Sequence, residues 1–120
     1  MKLSFLCPAA ARHFLAGLFY FAAFVSFPAW AQDDADQLEL GKKLFIQTAV
    51  PACAVCHTLK DAGASGAIGP VLDELKPDAQ RVAKALRNGI GQMPSYRASL
   101  SEAQILALAQ YVSRASGAKN

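Results

Sequence analysis

Cys53-Ala54-Val55-Cys56-His57 sets two thiols three positions apart and an imidazole directly behind the second. Three soft donor groups in five residues call for a disulfide, a redox couple, a metal or a covalent attachment, and each answer dictates a different fold. The chain has 120 residues, enough for one small domain. Its 12 Lys and Arg against nine Asp and Glu form no basic run, which argues against a nucleic-acid partner.

The N-terminal segment narrows the inventory. Phe14 to Ala31 carries no charge and follows Lys2, Arg12 and His13. A positive start, an apolar stretch ending at Pro28, and Ala29-Trp30-Ala31 form the layout of a secretory signal, with cleavage expected after Ala31. An uncleaved membrane anchor is the competing reading, because that apolar stretch sits at the lower length limit for a spanning helix. Cleavage removes residues 1–31 and leaves 32–120 as one periplasmic domain of 89 residues, without stable membrane insertion. Its ten bases then face nine acids, a net charge of +1. Cys7 and His13 leave with the signal, so Cys53, Cys56, His57 and Met93 are the mature chain's whole complement of Cys, His and Met.

Cys-x-x-Cys-His is the attachment pattern of c-type haem. Thiols three residues apart on a tight helical turn each add to one of the porphyrin's two vinyl groups, and the neighbouring imidazole lies under the iron. A Cys53–Cys56 disulfide and a thioredoxin-like redox pair are the alternatives an exported chain also allows. Zinc is the weaker option, since structural sites take about four ligands and only three soft ones are at hand, two of them adjacent.

Three helical patterns joined by Gly- and Pro-rich loops organise residues 32–120, and no stretch alternates with period two, so strands are not expected. The first helix is expected over about Asp36 to Gln47, with Leu38, Gly41 and Phe45 on one face. Gly63, Gly66, Gly69 and Pro70 punctuate a loop. Pro77 and Asp78 start a second helix, whose Val82, Ala85, Leu86 and Gly89 share a face. Ser101 and Gln104 fit a capping box ahead of the stripe Ile105, Leu108, Ala109 and Val112. Three short helices bury little surface alone, so a bound group is expected on stability grounds.

Met93 is the second axial ligand by elimination, with Tyr96 and Tyr111 as unusual options. Pro94 pushes Met93 out of helical geometry, which suits a loop that holds a thioether toward iron rather than a methionine filling a core gap.

With these residues in place the mature chain resembles the class I cytochromes c over its whole length, through Gly41, Phe45, the Cys53 to His57 box, Gly69-Pro70, Met93-Pro94 and Tyr111. The resemblance implies an all-α fold, three main helices around one covalently attached haem c. It also implies a close crossing of the N- and C-terminal helices at Gly41, Phe45 and Tyr111, and a Pro70 carbonyl accepting the second N–H of His57. Leu59-Lys60-Asp61-Ala62-Gly63 and Asp73-Glu74-Leu75-Lys76-Pro77-Asp78 are similar to the cytochromes that accept electrons from a periplasmic molybdenum sulfite dehydrogenase.

These features imply a single-electron carrier rather than an enzyme, with redox proteins as partners: a sulfite dehydrogenase as donor, and a terminal oxidase or larger cytochrome as acceptor. Ala54, Val55, Gln92, Pro94 and Ser95 are the expected rim of an exposed haem edge. A fixed haem subunit of a dehydrogenase complex is the alternative, as is a haem sensor or enzyme if Met93 can be displaced.

Overall fold

The computed structural model describes residues 30–119. The secretory signal read from residues 1–31 lies outside them apart from Trp30 and Ala31, which open the first helix. In chain order the elements are α1 (Trp30–Lys43), a π-helical turn (Leu44–Thr48), α2 (Cys53–Cys56), β1 (Thr58–Leu59), β2 (Ala64–Ser65), α3 (Leu72–Leu75), α4 (Ala79–Asn88) and α5 (Glu102–Ala115).

Helix α1 starts six residues before the expected Asp36, with Asp33 in its first turn and Lys42 and Lys43 in its last, charges that complement the helix dipole. It does not continue as an α-helix to Gln47. The backbone widens into the π turn, closed by Ala49 N–H on the Leu44 carbonyl at 3.1 Å, and this turns both Leu44 and Phe45 into the core. Gly41 sets the crossing with α5, since a Cβ there would stand 2.4 Å from the Ala107 carbonyl oxygen and 2.5 Å from Tyr111 Cβ. Beside it, Phe45 and Tyr111 meet edge to face with ring centroids 6.0 Å apart. The close helix crossing expected at Gly41, Phe45 and Tyr111 is therefore present.

Ser101 and Gln104 form the expected capping box, each side chain bonded to the other's backbone N–H, and α5 follows with Ile105, Leu108, Ala109 and Val112 buried. Asp78 caps α4 by accepting from Arg81 N–H at 2.7 Å. Arg87 on α4 pairs with Glu102 at the start of α5, Nε donating to Oε2 at 3.2 Å. The face expected on α4 is partly revised: Ala83 and Leu86 enter the core, whereas Val82 and Ala85 are half-buried and line a cavity.

Two further differences concern the loop after His57. Strands are present, as an antiparallel ladder of two residues a side that pairs Thr58 with Ser65 and Leu59 with Ala64. Gly63, at φ +60, turns the chain between them. Two residues are too few to show an alternating pattern. Single-turn helices α2 and α3 add to the three main ones, and both are too short for a periodic signal. Among the described residues no helix is long and apolar enough to cross a membrane.

Candidate functional site

Helices α4 and α5, the π turn and the loops around α2 and α3 enclose a cavity of about 800 Å³. Its walls include Phe45, Leu72, Leu86, Leu108 and Val112 from the core, and it receives Cys53, Cys56, His57, Pro70 and Met93. All five site residues read from the sequence thus meet in one place, although Met93 lies 36 positions beyond His57.

Ala52 is extended and α2 is one turn long, so Cys53 and Cys56 project from the same short helix with His57 N–H closing it on the Cys53 carbonyl at 2.9 Å. No disulfide joins Cys53 and Cys56. Among the described residues no group of three or more Cys, His, Asp and Glu is arranged to hold a metal ion, which leaves a zinc centre without its ligands.

His57 Nδ1 stands 3.0 Å from the Pro70 carbonyl oxygen, and its donation there leaves Nε2 as the ring's free nitrogen. The loop that brings Pro70 back is tied to α2: the Ile68 and Gly69 N–H groups both donate to the Cys56 carbonyl, at 3.1 and 2.7 Å. Thr58 Oγ1 also donates to the Gly66 carbonyl at 2.9 Å. Gly69 lies against the imidazole and Gly66 against the Cys56–His57 backbone, both too close for a Cβ.

Met93 sits at the end of a two-residue hairpin, exchanging N–H donations with Ile90 at 3.0 and 3.1 Å. Gly91 takes a positive φ of 57° as the first central residue and Gln92 does not, the pattern of a type II′ turn. Gly89, at φ +70, redirects the chain from α4 into this hairpin. Of the two tyrosines weighed as alternatives, Tyr111 is not in the cavity wall and donates to Asp61 Oδ1 at 2.7 Å. Tyr96 lines the cavity and donates to the Pro51 carbonyl at 2.7 Å, and burial pushes its phenol up to about 12.

The rim differs in part from expectation. Gln92 and Pro94 line the cavity, while Ala54, Val55 and Ser95 do not, and Ser95 instead caps α4 by donating to the Arg87 carbonyl at 2.6 Å. Ile68 and Ile90 were missed. They line the cavity yet are 69% and 70% exposed. Each is a large apolar residue beside glycine in a loop, which is the signal that was available.

The cavity volume falls within the usual range of about 300–1,000 Å³ for cofactor pockets, its wall is mainly apolar, and its donors are a thiol pair, an imidazole and a thioether. These are the groups that covalent haem attachment and six-coordinate iron require. A helical chain closed around such a site is an electron-transfer cytochrome of the c type. The protein belongs to the cytochrome c family: a family profile described as cytochrome c oxidase, cbb3-type, subunit III matches residues 36–112. It is similar to the c-type cytochrome SorU from Sinorhizobium meliloti, at 53% identity over 72% of this chain and 99% of that one, with a TM-score of 0.67. No curated protein gives a significant match. The cofactor is covalently bound haem c, and the protein transfers electrons rather than catalysing a reaction.

Proposed function

We propose that the protein is a periplasmic carrier of single electrons whose haem is attached through Cys53 and Cys56 and ligated by His57 and Met93. The meeting of these four side chains in one cavity carries the reading. Haem iron bound there supplies exchange of one electron between its ferric and ferrous states. Cys53 and Cys56 anchor the ring from one helical turn. The Pro70 carbonyl holds the His57 tautomer and orientation and increases the basicity of the ligand. Met93 offers a soft thioether, which favours the ferrous state and raises the potential. Phe45, Leu86, Leu108 and Val112 keep water from the site. Held from the chain by both His57 and Met93, the iron would keep no open site for a substrate.

Residues 1–31 act as the export signal in this proposal, cleaved after Ala31, and 32–120 form the working domain. The donor is a molybdenum sulfite dehydrogenase and the acceptor a terminal oxidase or larger cytochrome. In support, the two segments that resemble the sulfite-linked cytochromes lie side by side, with Lys60 N–H donating to Asp73 Oδ2 at 2.9 Å. A small, short-lived redox contact, typically below about 1,200 Å², suits a carrier of this kind.

The test is spectroscopic and kinetic. The ferric protein is expected to show a sulfur-to-iron charge-transfer band that Met93→Ala abolishes, and to be reduced by sulfite dehydrogenase on mixing. Rapid CO binding to the untreated ferrous protein would instead identify a sensor. Isolation at fixed stoichiometry with a dehydrogenase would identify a bound subunit, and a mature chain starting at Met1 in the membrane fraction would overturn the cleaved signal.

A further inference from the structure

From the distribution of charge around the cavity, we infer that Arg81 and Lys84 on α4 form the subsite for the two haem propionates. The inference rests on the haem reading above and extends it to residues that neither the motif nor the family comparison singles out. Among the described residues, His57 apart, Arg81 and Lys84 are the only cationic side chains in the cavity wall, and no Asp or Glu lines it. With Asn88, also in the wall, they fall at spacings of three and four residues, one polar strip along α4. The apolar residues Val82, Ala85 and Leu86 of the same helix complete the wall beside that strip.

Haem is an apolar disc with two carboxylates at one edge. An unpaired carboxylate against an apolar wall loses its hydration without compensation, so that edge must face either water or cations. The vinyl groups stand on two adjacent pyrroles and the propionates on the other two, so attachment at Cys53 and Cys56 directs the carboxylates away from α2. Helix α2 packs on the π turn and β2, and α4 packs on α5, which brings the two helices to the cavity as different walls. Lys42, Arg87 and Arg114 are each held by an acid elsewhere, whereas Arg81 and Lys84 have no carboxylate partner among the described residues. Arg81 adds a planar fork of donors that suits bidentate carboxylate binding, and Lys84 a point charge one turn on.

The experiment uses the mature holoprotein. A c-type pyridine haemochrome spectrum with both thioethers formed is recorded first, and its absence would overturn the haem reading itself. In the ferrous, diamagnetic protein the propionate methylene protons are expected to show through-space contacts with side-chain protons of Arg81 or Lys84. Contacts with Gln92 or Ile68 alone would overturn the subsite while leaving the haem reading in place. A second readout labels the haem carboxylates with ¹³C: their infrared bands are expected to shift in Arg81→Gln/Lys84→Gln and to stay fixed in Lys43→Gln, which removes a charge away from the cavity. Bands that stay fixed in the double variant count against the subsite. If that variant loses haem, the proton contacts of the parent protein decide.

Discussion

Gly69 lies so close to the His57 ring that a Cβ in its place would stand 2.5 Å from Cε1 and 2.7 Å from Nδ1. The glycine thus holds the imidazole on one side while the next residue, Pro70, holds it by its carbonyl. Gly69→Ala is expected to push the ring off the Pro70 oxygen and to destabilise the holoprotein by about 1–3 kcal/mol, the usual range for an overpacked site. Urea melts and potentiometry check this: both stability and reduction potential should change, and a variant matching the parent in both would remove the positioning role.

Gly41→Ala tests the helix crossing, away from the site. The added methyl meets the Ala107 carbonyl and Tyr111 Cβ, backbone and near-backbone atoms that cannot rotate aside. Helices α1 and α5 must separate, at a cost of about 2–3 kcal/mol or more. A thermal melt should shift down by several degrees while the visible spectrum of the surviving native protein stays unchanged.

At Gly91 the expectation differs in kind, because nothing lies within 4 Å of a Cβ there and only the positive φ resists substitution. Gly91→Ala is expected to cost roughly 1 kcal/mol through backbone strain, and Gly91→Asn less, since asparagine tolerates that conformation. Equal losses for Ala and Asn in denaturant titrations would contradict the strain account.

Tyr111, Asp61 and Lys42 make stability depend on pH at both ends. The Tyr111 hydroxyl, and then Lys42, hold the Asp61 carboxyl below its ordinary value of 3.8. That stabilisation is present above pH 3.8 and is lost as pH falls through the lower native value. Burial, and then the bond to Asp61, raises the Tyr111 phenol above its ordinary 10.0, so its stabilisation is present below pH 10 and fades as pH rises beyond it. Tyr111→Phe should flatten both limbs of a stability profile, and Asp61→Asn mainly the acid limb.

Salt should have little effect on electron transfer. The net charge of +1 on residues 32–120 combines with about −2 from the haem carboxylates, which leaves that domain with its haem close to neutral. Rates with a redox partner protein are expected to vary less than about tenfold between low and moderate ionic strength. A change of several orders of magnitude would show that local charges near the rim steer the encounter.

The parts legible in the sequence were those encoded over short distances. Ser101 and Gln104 announce α5, Asp78 announces α4, and Cys53 to His57 place three site groups on one turn and the residue after it. Met93 was reachable by elimination because residues 32–120 contain no other methionine. The π turn was not legible, because its widening depends on fitting Leu44 and Phe45 into one core, a tertiary demand. Nor was the two-residue ladder, whose pairing is shared with the loop that returns to His57. Val82 and Ala85 carry an ordinary helix-face pattern, and only the cavity distinguishes them from core residues.

The local tie between His57 and Pro70 also affects the order in which the two sides of the site assemble. That tie closes over 13 residues, whereas bringing Met93 to the same cavity closes over 36. Chain entropy alone makes the longer closure dearer by about 0.9 kcal/mol. The histidine side should therefore form first as the chain collapses, and the methionine side should open first on warming. Native-state hydrogen exchange would show this as faster exchange at the Ile90 and Met93 amides than at Ile68 and Gly69.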